Sequence, residues 1–311
     1  MDWRIYLLPP FLSSVFLLLM FYFFHVLQYF LFLVILIVSF WAVFLILKNS
    51  LPLIPALFNY ESNNAVINII SASMTILILI EWSRQNSYFL NNILCLSICA
   101  NIMNSLRFHS LRLATVCLGG LVVYDIYWVF LSSRLFSTNV MVEVSTKEAE
   151  SIIYHAAHAI NSTMLKTFQP KIQLPLKLLV PIFPSSNAPY SHFHILGAGD
   201  VAIPGTLVSY LLEFDLSAGH ILARQDSVTN TSAIHRLFDL SLTSYFYLSV
   251  AAYGLGLALA LLLAHNTNHP QPALLYTIPT MLCTVIIAAY LRGEFALMWR
   301  GSRMNGILEN E

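Results

Sequence analysis

Long apolar stretches dominate the chain, and short polar segments separate them. A helix needs about 20 predominantly apolar residues to cross the hydrocarbon core of a bilayer. About eight segments approach that length, with most charged residues falling between them. They lie at about residues 6–24, 28–47, 66–82, 89–106, 113–133, 193–212, 243–264 and 271–291. The pattern predicts an all-α fold, a polytopic bundle of transmembrane helices.

The first two segments are almost continuous. Residues 5–47 contain few polar interruptions, and this run is about twice as long as one bilayer crossing. It is too long for a cleavable signal peptide, and no small-residue cleavage site follows it. We therefore predict two helices joined by a tight turn at residues 25–28.

The polar segments suggest how a single membrane domain, residues 1–311, is organised. Five prolines between residues 134 and 192 predict a mostly irregular loop. No soluble second domain is evident. The predicted parts are amino-terminal helices in 1–106, two central helices in 111–133 and 193–212, the loop 134–192, and carboxy-terminal helices in 243–291.

Composition supports the membrane assignment. The chain is 58% hydrophobic and 10% charged, whereas soluble domains carry roughly 25% charged residues. Lys+Arg and Asp+Glu number 15 each, so the formal net charge is zero. A chain without a basic excess gives no reason to expect nucleic acid as a partner. The lipid bilayer is the partner that the composition indicates.

The basic residues predict an orientation. Short segments on one side of the predicted bundle carry nine of them, whereas the opposite short loops carry only Arg84. The nine are Arg4, Lys48, Arg107, Arg112, Arg224, Arg236, Arg292, Arg300 and Arg303. By the positive-inside rule, both termini are cytosolic and the loop 134–192 faces the lumen or the outside. Asn161, in "NST", is then a candidate glycosylation site, whereas Asn230, in "NTS", is not.

Two acidic residues lie inside predicted spans. Asp125 interrupts "LVVYDIYWVF", and Asp200 lies within "ILGAGDVAIPG". The other acids fall in loops, in tails or at span ends, where a side chain can reach water. Placing a carboxyl group at membrane depth costs free energy, so it is a functional hypothesis by default.

A close pair of such carboxyls has a defined chemistry. Both cannot ionise in a low dielectric, so they share a proton and titrate together. One can then take a proton from water while the other donates a proton to a carbonyl, as in aspartic proteases. This hydrolysis needs no cofactor and no metal. The glycines Gly197 and Gly199 would leave room beside Asp200, although small residues also serve helix packing.

Three motifs make the chain recognisable. "YD" at Tyr124 and Asp125, "GAGD" at residues 197–200 and "QPALLY" at residues 271–276 follow one another in this order. In this respect the chain resembles the signal peptide peptidase and presenilin families of intramembrane aspartyl proteases. The sequence that flanks the motifs is similar to that of the signal peptide peptidase family, and within it to the signal peptide peptidase-like three branch.

The resemblance implies roles for named residues. Asp125 and Asp200 would be the catalytic pair, and Tyr124, Gly197 and Gly199 would shape their surroundings. The segment corresponding to the family's PAL motif would help to receive substrate, and it comprises Gln271, Pro272, Ala273 and Leu274. Pro272 is compatible with extended backbone at residues 271–273, but equally with the first turn of the last helix.

The resemblance also implies partners and a location. Substrates would be type II membrane proteins, including Golgi glycosyltransferases, and the enzyme would lie in the Golgi or the endoplasmic reticulum. Self-association into a homo-oligomer stays open. The family normally has nine spans with a lumenal amino terminus, so the count of eight predicts that the first family helix is absent, either from the protein itself or because the gene model is partial.

Two other functions remain open from the residues alone. Paired acids at membrane depth also mark proton relays, as in a proton-coupled transporter or channel. An inactive homologue that binds helices without cutting them would carry the same motifs.

Overall fold

The computed structural model describes the chain in segments, and its regular elements are mostly helical. The described residues are 8–51, 64–85, 87–132, 149–150, 171–172, 174–181, 193–223, 244–267 and 271–301. The helices are α1 (Leu8–Ser50), α2 (Asn64–Gln85), α3 (Tyr88–Ser105), α4 (Leu111–Ile126), α5 (Ala198–Ala223), α6 (Tyr245–Thr267), α7 (Ala273–Leu291) and α8 (Phe295–Arg300). A π-helical turn, Tyr127–Leu131, continues α4. The strands are β1 (Ala149–Glu150), β2 (Lys171–Ile172), β3 (Lys177–Pro181) and β4 (Phe193–Gly197).

Every predicted span coincides with a helix over most of its length, which confirms the polytopic helical architecture. Within the described residues, five helical segments are long and apolar enough to cross a membrane. These five are Leu27–Ser50, Asn64–Gln85, Leu111–Leu131, Tyr245–Thr267 and Ala273–Leu291. The remaining three predicted spans correspond to the shorter apolar helix Leu8–Phe24 and to α3 and α5.

The predicted division of this run into two helices is confirmed, since α1 comprises two helical segments, Leu8–Phe24 and Leu27–Ser50. The break lies at Phe23, which has φ −117° and ψ 28°, and so falls just before the predicted residues 25–28. The predicted turn sequence, HVLQ, contains neither glycine nor proline, so nothing in it stops a helix locally. The break therefore falls before this segment, at Phe23.

The sixth predicted span also needs correction. Residues 193–197 form strand β4, and the helix begins at Ala198. Strand β4 pairs antiparallel with β3, in a register that runs from Lys177 opposite Gly197 to Pro181 opposite Phe193. A short apolar run is compatible with either a strand or a helix, because its hydrophobic periodicity does not distinguish the two structures. The correction places Asp200 in the first turn of α5.

Contacts divide the chain into two compact units. The first comprises residues 1–18, 103–145 and 203–311. Within it, α6 packs along α7, α7 packs against α4, and α8 contacts both α4 and α7. Its buried core includes Leu118, Leu207, Tyr210, Ile278 and Met281.

The second unit comprises residues 19–102 and 146–202. Its core joins α1, α2 and α3 through Phe32, Trp82 and Leu94. The rings of Phe32 and Trp82 stack with their centroids 6.5 Å apart. Helix α3 is also tied to α1 by a hydrogen bond of 3.1 Å, which the Asn101 amide donates to the Ala42 carbonyl.

Candidate active site

Asp125 is the penultimate residue of α4, two positions before the π-helical turn begins. Its side chain is only 2% exposed. A π-helical turn takes up one more residue than an α-helical turn, and such insertions are frequent at functional sites. Because the turn begins at Tyr127, it changes the direction of the side chains that follow Asp125. The structure therefore places this acid at a local irregularity in an apolar helix.

Two serines of α1 hold the residues on either side of Asp125. The Trp128 indole Nε1–H donates to the Ser14 hydroxyl over 3.1 Å, and the Tyr124 hydroxyl hydrogen-bonds with Ser13. Both serine hydroxyls in turn donate to the Pro10 carbonyl, at 3.0 and 2.9 Å. Sequence reasoning included Tyr124 but missed the serines and Trp128. Their signal was a Ser-Ser pair in an otherwise apolar segment.

Asp200 lies at a junction between strand and helix. Strand β4 ends at Gly197, and Asp200 is the third residue of α5. Its carboxylate accepts a hydrogen bond from the backbone N–H of Gly197. This resembles half of a capping box, in which an acid at the third helical position binds the backbone N–H of the capping residue. The carboxylate is thus held close over the preceding backbone.

Gly197 leaves the space that this geometry needs. A Cβ atom at residue 197 would lie 3.2 Å from Oδ2 of Asp200, a closer approach than nine in ten real Cβ contacts. Gly199 differs, because it is exposed on the first turn of α5. The structure therefore supplies a specific steric reason for the first glycine of "GAGD".

The PAL segment begins α7. Gln271 and Pro272 are not helical, Pro272 is extended with φ −69° and ψ 116°, and the helix starts at Ala273. The extended-backbone interpretation of Pro272 is thus correct, and the first-turn interpretation is wrong by one residue, since Pro272 caps the helix from outside. The extension to Ala273 is wrong, because this residue is already helical. Leu274 is 5% exposed and belongs to the core of the first unit.

Gln271 is held from both sides. Its Nε2 donates to the Thr267 hydroxyl over 3.1 Å, and the Tyr276 hydroxyl donates to its Oε1 over 3.1 Å. These bonds link the end of α6 to the start of α7 beside the extended Pro272. Because α7 also packs against α4, the PAL segment lies on a helix that contacts the Asp125-bearing helix.

The predicted site residues are distributed over the two compact units. Tyr124 and Asp125 share the first unit with Gln271–Leu274, whereas Gly197, Gly199 and Asp200 belong to the second unit. The pairing of the two carboxyls stays a prediction. Asn161 lies outside the described residues. Among the described residues, no group of three or more His, Cys, Asp or Glu side chains could hold a metal ion.

The helices and the buried acid define a polytopic membrane protein, and comparison with known proteins gives its family. The chain belongs to the signal peptide peptidase family, whose profile matches residues 1–305. It is 32% identical to signal peptide peptidase-like 1 of Arabidopsis thaliana over 78% of this chain and 63% of that protein. It is 28% identical to human signal peptide peptidase over 80% of this chain and 52% of that protein.

A second plant relative matches the chain to a similar extent. Signal peptide peptidase-like 1 of Oryza sativa is 32% identical over 72% of this chain and 59% of that protein. The chain thus spans between about half and two thirds of the length of these curated relatives. Membership of the family is established, while the assignment to the signal peptide peptidase-like three branch stays a prediction.

Proposed function

We propose that this protein is an intramembrane aspartyl endopeptidase in which Asp125 and Asp200 form the catalytic pair. The observation that supports the proposal is the position of the two acids of the recognised motifs. Asp125 is 2% exposed in an apolar helix, and Asp200 lies in the first turn of α5. Family membership supports the same reaction class.

The proposed mechanism is general acid–base hydrolysis. The ionised carboxylate takes a proton from a water molecule, whose oxygen attacks the carbonyl carbon of the scissile peptide bond. The protonated carboxyl donates its proton to the carbonyl oxygen, which yields a neutral tetrahedral intermediate. Its collapse breaks the C–N bond as the carboxyl that took the proton from water gives it to the amide nitrogen. The other carboxylate takes a proton from a hydroxyl of the intermediate, so the pair returns to its starting state. A pair that shares one proton gives a bell-shaped pH dependence of kcat.

The proposed substrates are type II membrane proteins, including glycosyltransferases of the Golgi. A transmembrane helix protects its peptide bonds by internal hydrogen bonds, so the substrate must unwind locally before cleavage. The extended backbone at Pro272 and the non-helical Gln271 before it support a role in receiving an unwound strand. We place the enzyme in the Golgi or the endoplasmic reticulum with both termini in the cytosol. Cleavage there would release lumenal domains.

Substitution of the acids tests the proposal. Purified wild type is incubated with one tagged type II helix, and the products are resolved by mass spectrometry. We expect Asp125→Asn and Asp200→Ala each to abolish cleavage, because either change removes one of the two proton-transfer groups. Both variants should still be expressed and folded.

Glu213→Gln is a matched control. It changes an acid of α5 whose carboxylate lies 3.7 Å from Arg107, in a solvent-exposed ion pair. Exposed pairs contribute about 0–1 kcal/mol, so this variant should cleave like the wild type. Cleavage that persists in Asp200→Ala would contradict the proposal. A folded wild type that binds the helix but never cuts it would favour the inactive homologue.

A further inference from the structure

Helix α3 holds the β3–β4 hairpin through two asparagine side chains. The Asn91 amide donates to the Lys177 carbonyl over 2.9 Å. The Asn92 amide bonds twice to Leu179, donating to its carbonyl and accepting from its backbone N–H, each over 2.8 Å. Asn91 is 1% exposed. An amide that satisfies both backbone groups of one residue acts like a neighbouring strand.

The register of the hairpin shows what this contact fixes. In an antiparallel pair, alternate residues turn both backbone groups toward the partner strand and the residues between them turn both away. Leu179 directs its groups to Asn92, so Lys177, two residues earlier, also directs its groups away from β4. Lys177 is opposite Gly197. The N–H of Gly197 is accordingly turned away from β3. On that outer side, the Asp200 carboxylate accepts a hydrogen bond from this N–H.

Helix α3 also contacts the next residue of the motif. Ala198 donates its N–H to the Leu176 carbonyl over 2.8 Å, one step beyond the last strand pair. Its own carbonyl accepts a hydrogen bond of 3.5 Å from the Cys99 thiol, which lies two helical turns from Asn92. Strand β3, which pairs with Gly197, and Ala198, which follows it, are thus both held by the same helix.

We propose that Asn91 and Asn92 are positioning residues for Asp200, acting through the β3–β4 hairpin and the Gly197 N–H. The inference rests on the proposed function, in which Asp200 must lie close to one scissile bond. Helix α3, which carries none of the three recognised motifs, would thus have an indirect role in the reaction. This role acts through the hairpin and does not need either asparagine to contact the substrate.

The test replaces Asn92 with an isosteric acid. Asn92→Asp keeps an acceptor for the Leu179 N–H but loses the donor to the Leu179 carbonyl, which leaves two acceptors facing each other. With a tagged type II helix as substrate, we expect kcat to fall by about tenfold to a hundredfold, as a small misplacement of a catalytic group does. KM should stay within about twofold, since the PAL segment is unchanged.

Asn101→Ala is the matched control. It removes a half-buried asparagine of the same helix whose amide bonds to the Ala42 and Ser97 carbonyls, away from the hairpin. Its thermal stability should fall while its kcat stays within about twofold of the wild type. If Asn101→Ala lowers kcat as much as Asn92→Asp does, the positioning role is wrong and α3 acts through general stability.

Hydrogen exchange gives a readout that does not depend on cleavage. Peptides covering residues 174–181 and 193–200 should exchange faster in Asn92→Asp than in the wild type, and at the wild-type rate in Asn101→Ala. Unchanged exchange in Asn92→Asp would contradict the hairpin contact. If Asp200→Ala abolishes cleavage but Asn92→Asp keeps kcat within about twofold, the positioning role fails and the proposed function stands.

Discussion

At the scale of single residues, the second unit explains why a glycine precedes the turn that carries Asp200. The carboxylate folds back to accept the Gly197 N–H, so the space beside residue 197 is occupied by Oδ2. Any side chain at this position would compete with the carboxylate. The acid, and not an unusual backbone angle, therefore accounts for a glycine here, since among the described glycines only Gly293 and Gly301 have positive φ.

Gly197→Ala should impair catalysis more than folding. The added methyl group would lie 3.2 Å from Oδ2, so the carboxylate must move by a few tenths of an ångström. We expect kcat to fall by about tenfold or more, because catalytic groups tolerate little misplacement. Single-turnover cleavage of a tagged helix measures this loss.

Gly119→Ala controls for this substitution. It makes the same change on α4, which carries Asp125, at a position where nothing lies within 4 Å of the new Cβ. Its kcat should match the wild type. Equal activity of Gly197→Ala and Gly119→Ala would show that the carboxylate adapts and that the steric argument is wrong.

The same scale shows which site residues the sequence could reveal. Asp125 and Asp200 stand out because a charge within an apolar run is visible without knowledge of the fold. Asn92 gives no such signal. Its partner Leu179 lies 87 positions away along the chain, and only the fold brings an ordinary polar residue of α3 to the edge of β3.

At the scale of elements, α6 and α7 form a close helix pair around Gly256. A Cβ at this residue would lie 2.6 Å from Cα of Thr277 and 3.0 Å from the Tyr276 carbonyl oxygen. Backbone atoms of a packed helix cannot move aside as a flexible side chain can. The Thr280 hydroxyl adds a hydrogen bond of 3.2 Å to the Ala252 carbonyl across the same interface. Close approach of this kind is how membrane helices gain packing energy.

Gly256→Ala should separate these helices. We expect a loss of about 1–3 kcal/mol, the usual cost of overpacking, seen as a lower apparent Tm in detergent. Because Tyr276 also bonds to Gln271, displacement of α7 should disturb the PAL segment and raise KM.

Gly254→Ala is the control on the same helix, two residues away. Nothing lies within 4 Å of a Cβ at residue 254, so Tm and KM should stay near the wild-type values. If both variants melt alike, the contact of Gly256 with α7 does not limit stability.

Hydropathy predicted where the helices lie, but it missed the start of α5 and the position of the break within α1. It located α7 because 19 consecutive residues are almost all apolar. It assigned residues 193–197 to a helix, because the side chains of an apolar strand and an apolar helix are the same residue types. Pairing with β3 decides between them, and that pairing is a tertiary contact. The break at Phe23 likewise has no local sequence signal, since kinks usually occur at proline or glycine.

At the scale of the whole molecule, the family match and the fold agree on a polytopic membrane protein, and orientation decides how a substrate meets it. A type II substrate runs from a cytosolic amino terminus to a lumenal carboxyl terminus. Its direction relative to α4 and α5 is set once the termini of the enzyme are placed. The basic residues predict both termini in the cytosol. This prediction also fixes which of two sequons can be modified, because glycan transfer occurs on the lumenal side.

Glycan mapping tests that orientation in cells. We expect endoglycosidase treatment to increase the gel mobility of the wild type, and Asn161→Gln to remove this shift, since Asn161 lies in the loop predicted to be lumenal. Asn230→Gln should keep the shift, and a sequon appended after Glu311 should stay unmodified. A shift that is lost in Asn230→Gln but kept in Asn161→Gln would invert the topology. The substrate class would then change with it, because an inverted enzyme meets a type II helix from the opposite end.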